Sequence, residues 1–151
     1  MQTRRNAIKK SAVVAGLLAS TGLFPQFAFA FNKNAFEAKS VADALKALGA
    51  GAPVESKDVT VTGPDIAENG SVVPVGVATT LSGVKSMLIM VEKNPATLTA
   101  LFNVTDSVDT AFQARVKMGQ SSDVYAIAVM NDGKVLFAKK EVKVTLGGCG
   151  G

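Results

Sequence analysis

A chain of 151 residues with 16 Lys plus Arg against 12 Asp plus Glu, no histidine and one cysteine excludes much of protein chemistry before any motif is read. Without histidine there is no Ser-His-Asp triad, no Cys-His pair and no histidine-ligated metal, and a single cysteine makes neither a C-x-x-C dithiol nor an internal disulfide. Four of the cations, Arg4, Arg5, Lys9 and Lys10, lie in the first thirty residues, which contain no acid, leaving twelve cations against twelve acids beyond them; no positive field remains to attract nucleic acid, and no such partner is expected.

Residues 1–30 read as a removable targeting segment. Arg4 and Arg5, ahead of Ile8 and Lys9, resemble a twin-arginine export signal; Ser11 to Leu23 is apolar but too short for a stable bilayer span; and Ala28-Phe29-Ala30 gives a small-x-small peptidase site, with cleavage expected after Ala30. An ordinary secretory leader with a coincidental Arg pair has the same layout, and either route ends outside the cytoplasm. The expectation is a periplasmic protein exported by the twin-arginine pathway, with no stable membrane insertion.

Residues 31–55 hold a short helix and a linker. Ser40-Val41-Ala42-Asp43 has the form of a capping box, Val41, Ala44, Leu45 and Leu48 fall at helical spacing, and Gly49, Gly51 and Pro53 stop the helix. From residue 56 to 146 the period changes to two. Runs rich in Val, Ile, Thr and Phe cover 59–61, 72–78, 86–92, 97–104, 112–118, 124–130 and 135–144, separated by turn residues. Phe112, Ala114, Val116 and Met118 alternate with Gln113, Arg115 and Lys117, which face water, and the Asn131-Asp132-Gly133 turn pairs the last two strands. About seven strands with this spacing predict an all-β fold, an immunoglobulin-like two-sheet β-sandwich, with a closed barrel as the alternative.

The last strand runs into Gly147-Gly148-Cys149-Gly150-Gly151. Four glycines around one thiol offer no side chain to pack, so 147–151 is expected to be a flexible, exposed arm with a reach of roughly 17 Å, thin enough to enter a narrow channel. No cation adjoins Cys149, and the Gly151 carboxylate disfavours the thiolate, so activation is expected to come from a partner enzyme. The acids Asp65, Glu68, Asp106 and Asp109 read as solvated turn residues and not as a catalytic pair.

The terminal Gly-Gly-Cys-Gly-Gly, together with Ile66-Ala67-Glu68-Asn69-Gly70, Val91-Glu92-Lys93-Asn94-Pro95 and Ser122-Asp123-Val124, resembles the SoxY family. The resemblance implies a non-catalytic carrier in thiosulfate oxidation, with Cys149 bearing the sulfur as S-thiosulfonate, persulfide and S-sulfonate, and with no cofactor beyond that covalent sulfur. It implies a heterodimer with SoxZ and visits to a haem-containing sulfur transferase, a thiosulfohydrolase and a sulfane dehydrogenase. Met87 to Val91 and Leu98 to Phe102 are apolar enough to include SoxZ contacts, although ordinary sandwich core is the simpler reading. Two readings compete: a copper chaperone using Cys149 with Met87, Met90, Met118 or Met130, and a structural domain linked through an intermolecular disulfide. Methionines inside alternating apolar strands favour core packing over copper.

Overall fold

Asn32 and Ser40 each open a helical turn by offering a side-chain oxygen to an otherwise unpaired backbone N–H. In the computed structural model, which describes residues 32–146, these are α1 (Lys33–Phe36) and α2 (Val41–Ala47). Arg4, Arg5, Ala28 and Ala30 lie outside the described residues, as do Gly147, Gly148, Cys149, Gly150 and Gly151. Ser40 Oγ accepts from the Asp43 N–H at 3.1 Å and donates to the Asp43 carboxylate at 2.7 Å. At the other end Ala50 N–H reaches the Leu45 carbonyl and Gly49 N–H the Lys46 carbonyl, a Schellman closure that requires the positive φ of 69° at Gly49. The expected helix is therefore present with the expected stop. Ser40→Ala removes the cap and lowers stability by about 1 kcal/mol, read as a drop of a few degrees in Tm. An unchanged Tm would show that packing alone holds α2.

Nine strands follow: β1 (Pro53–Glu55), β2 (Val59–Thr62), β3 (Ile66–Asn69), β4 (Val73–Thr79), β5 (Val84–Val91), β6 (Leu98–Asn103), β7 (Ala111–Val116), β8 (Ser122–Met130) and β9 (Val135–Leu146). The seven predicted runs are all strands. The two additional ones, β1 and β3, are three and four residues long and pair in parallel with successive parts of the same edge of β9. They are strands because β9 is long enough to template them, which no local propensity announces. The large sheet has the order β1-β9-β8-β5-β6 with β3 also on β9, and the small sheet has the order β2-β4-β7. β8 and β9 form the expected hairpin, with Gly133 at φ 88° in its turn.

The two sheets face each other across Val73, Val75 and Val77 of β4, Met87, Ile89 and Val91 of β5, Val124, Ala126 and Ala128 of β8, and Val116, Met118 and Val142. This is the immunoglobulin-like sandwich the pattern predicts. A second core lies on the opposite face of the large sheet, where Ala35, Ala38, Ala44 and Leu45 cover Leu88, Met90, Leu98, Ile127 and Val135. Buried on both faces, β5 reads as the continuous run Met87-Leu88-Ile89-Met90-Val91, all of it inaccessible. Met87 to Val91 is thus interior and not available to a partner, whereas Leu101 and Phe102 on edge strand β6 are half-buried. Of the methionines considered for copper, Met87, Met90 and Met118 are fully buried and Met130 is half-buried against the inner core.

The sandwich is closed along both sides. Phe102 of β6 stacks on Phe112 of β7 with ring centroids 4.5 Å apart. On the other side Lys140 of β9 reaches the Gly63 carbonyl at 2.7 Å and the Asp65 carboxylate at 2.8 Å, tying the β2–β3 turn to the large sheet. The Lys140 hydrogen bond and charge hold the exposed Asp65 carboxyl below its ordinary range. Asp65 is thereby a structural anion. Among the described residues no helix is long and apolar enough to cross a membrane, and no cluster of three or more acids could hold a metal ion.

Candidate functional site

Cys149 stands three residues beyond Leu146, the last residue of β9, so the described part of the site is the root from which its arm departs. β9 does not fray into that root. Residues Lys143–Leu146 run parallel to Ile66–Asn69 of β3, the Lys143 N–H donates to the Asp65 carbonyl at 2.9 Å, and Thr145 Oγ1 donates to the Glu68 carbonyl at 3.0 Å. The Gly70 N–H closes the set by donating to the Leu146 carbonyl at 2.8 Å. On the opposite edge β8 has ended, and Ser121 Oγ takes its place by accepting from the Val144 N–H at 2.9 Å. Both edges of the strand end are therefore paired, which fixes the position and direction of the last peptide before the glycines.

A second layer of hydrogen bonds braces this clamp. The Gly70 carbonyl accepts from the buried Met118 N–H at 2.7 Å, and the chain on either side of Met118 is gripped by Asn94, whose Nδ2 donates to the Lys117 carbonyl at 2.7 Å while its Oδ1 accepts from Gly119 N–H at 3.3 Å. Ser122 Oγ, fully buried, accepts from Lys93 N–H at 3.0 Å and donates to the Asp123 carbonyl at 3.0 Å. The stretches 66–70, 91–95 and 122–124 thus meet at one end of the sandwich, the end that carries the arm. Sequence reading singled them out without a common role, and it missed Ser121 altogether, because its bond to Val144 joins positions that are distant in the chain.

Beside this end, on the helix-bearing face of the large sheet, Lys139 pairs with Asp123 at 2.7 Å and lies 5.8 Å above the Tyr125 ring, which packs against Phe137. Burial, then the charges of Glu92 and Asp123, push the Tyr125 phenol above its ordinary value, with Lys139 opposing. The Asp123 hydrogen bond raises Lys139 as well. Both groups hold their protons more tightly folded than unfolded, so this corner stabilises the fold fully below about pH 10 and progressively less as pH rises through the raised values. Tyr125 is the chain's one tyrosine and there is no tryptophan. Phenolate absorbance during an alkaline titration therefore reports it alone: the midpoint is expected above that of free tyrosine, higher still in Lys139→Met and lower in Glu92→Gln. A midpoint at the free-tyrosine value would remove the buried-corner account.

Among the described residues, three of the five exposed large apolar side chains belong to the clamp or its turn: Leu146, Ile66 and Val72, at 70%, 58% and 55% exposure.

The chain matches the profile of the family described as "Sulfur oxidation protein SoxY" over residues 44–149, a stretch that includes Cys149. Among solved structures it is similar to the sulfur carrier protein SoxY from Chlorobium limicola f thiosulfatophilum, at 31% identity and a TM-score of 0.64, covering 71% of this chain and 97% of that one. A superoxide reductase (neelaredoxin) from Ignicoccus hospitalis shares the fold alone, at 16% identity and a TM-score of 0.51 over 57% of this chain and 79% of that one. None of the curated proteins compared with the chain matches it. With a family profile spanning more than half its length and a SoxY structure matching in both sequence and fold, the chain belongs to the SoxY family of sulfur oxidation proteins.

Proposed function

We propose that this protein is a non-catalytic carrier that holds sulfur intermediates covalently on Cys149 during thiosulfate oxidation in the periplasm. The observation that carries the reading is the family match extending through Cys149. The clamp on Lys143–Leu146 supports it mechanically, because once the carrier has docked on an enzyme, a thiol tethered to a fixed root samples a small volume and reaches that enzyme's site at a high effective concentration.

Loading joins the Cys149 sulfur to the outer sulfur of thiosulfate. The thiol loses its proton, one S–S bond forms, and the two electrons released pass to the haem-containing sulfur transferase, leaving a cysteine S-thiosulfonate. A thiosulfohydrolase then adds water across the terminal S–S bond, releasing sulfate and leaving a persulfide. A sulfane dehydrogenase oxidises that sulfur to the S-sulfonate, with water supplying the three oxygens and the enzyme accepting the six electrons, and hydrolysis of the S–S bond releases a second sulfate and restores the thiol. Gly147, Gly148, Gly150 and Gly151 let the thiol pass through narrow channels, since no side chain widens the strand. Arg4 and Arg5 direct export by the twin-arginine route, with cleavage after Ala30, and a SoxZ subunit forms the heterodimer. Because the twin-arginine route carries folded proteins, a subunit without its own signal travels with this one.

Intact-mass measurement of the protein from thiosulfate-grown cells tests the reading. Reducible sulfur adducts confined to the C-terminal peptide are expected. A permanently bare thiol, a bound copper, or a disulfide dimer as the active form would overturn it.

A further inference from the structure

We propose that Ile66, Val72 and Leu146 form an apolar collar against which the enzymes that act on Cys149 seat, and that the matching feature on each enzyme is an apolar rim around the mouth of its active-site channel. The inference rests on the carrier reading and goes beyond it by assigning the docking surface.

The placement of these residues carries the argument. Ile66 is the register partner of Lys143 and Asn69 that of Leu146, so Ile66 and Leu146 are an odd number of positions apart along the strand pair and stand on its opposite faces. Val72 follows the turn in which Gly70 grips the Leu146 carbonyl and Val72 N–H reaches the Asn69 carbonyl. Apolar surface thus flanks the last stretch of the strand pair on both faces, with Leu146 and Val72 where the arm leaves and Ile66 three positions, roughly 10 Å, behind Leu146 on the other face. Exposed leucine, isoleucine and valine side chains scattered singly need no explanation, but three at one functional end of a small domain do. The remaining two, Val54 and Val108, lie elsewhere: Val54 pairs with Leu136 near the far end of β9, and Val108 is in the β6–β7 loop.

Reach then dictates contact. From Leu146 to Cys149 is three residues, which span at most about 10 Å when extended. An enzyme that buries the thiol must bring the wall of its channel within that distance of Leu146, so its mouth necessarily closes over residues flanking the root. A channel mouth encloses a strand end from several sides, which is the geometry in which apolar residues on both faces are covered at once. Since the clamp holds these side chains in place beforehand, little ordering entropy opposes docking.

The test is the rate at which the thiosulfate-coupling enzyme fraction of thiosulfate-grown cells loads the carrier, followed by mass as a function of carrier concentration. For the triple variant Ile66→Ser, Val72→Ser, Leu146→Ser the half-saturating carrier concentration is expected to rise about tenfold or more, with the maximal rate retained. Alkylation of Cys149 by iodoacetamide is expected to be unchanged, showing that the arm itself is intact. The control pair Val54→Ser, Val108→Ser is expected to behave as wild type. An unchanged half-saturation in the triple variant, an equal rise in the control, or loss of the heterodimer in the triple variant, which would assign the collar to a permanent subunit interface, each overturns the proposal. Those outcomes leave the carrier reading standing. That reading fails separately, if wild-type Cys149 takes up no sulfur at any carrier concentration.

Discussion

The Cys149→Ser variant is expected to take up no sulfur from thiosulfate, while folding as stably as the wild type. Serine preserves size and polarity but its hydroxyl, unlike a thiol, forms neither a persulfide nor a thiosulfonate, so the first covalent step has no acceptor. The absence of any other cysteine means that no second sulfur can substitute. No loss of stability is expected because the described residues, which end at Leu146, already supply both cores and the clamp. The measurement is the intact mass after incubation with thiosulfate and the loading enzyme, paired with a thermal melt of each protein. Loss of loading with an unchanged Tm assigns the chemistry to Cys149. Retained sulfur would place it elsewhere, and a lowered Tm would show that residue 149 packs against the domain.

Leu88→Ala carries the largest expected effect on stability, about 3–5 kcal/mol. Leu88 is fully buried, yet it points away from the other sheet, toward Ala35, Ala44 and Leu45. A two-layer sandwich with a solvated outer face would lose almost nothing on this substitution. With the helical segment lying over it, truncation removes transfer free energy and leaves a cavity, as Ile89→Ala does on the inner face, and the two variants should be destabilised alike. For a domain of this size the loss lowers Tm by on the order of 10 °C. A small shift for Leu88→Ala beside a large one for Ile89→Ala would mean that the helices contribute little to the fold.

By itself the sequence determined seven of the nine strands and singled out Cys149 as the candidate for the chemistry. Alternation in Phe112–Met118, the Asp132-Gly133 turn and the Ser40 cap are local signals, each arising from side chains and backbone within a few residues, so they are legible without a partner. The thiol in its glycine arm is legible for the same reason. Tertiary structure alone decided what those elements do together. β1 and β3 exist only because β9 offers them an unpaired edge, and the continuous apolar run of β5 becomes intelligible only once the helices are seen to cover its second face. The root of the arm was hidden most completely. It is made by Gly70, Asn94, Ser121 and Ser122, whose hydrogen-bond partners lie up to 76 residues away in the chain, as from Gly70 to Leu146. A hydrogen bond between such distant positions leaves no periodicity in the sequence, because it is created by the sheet register that brings the two ends together.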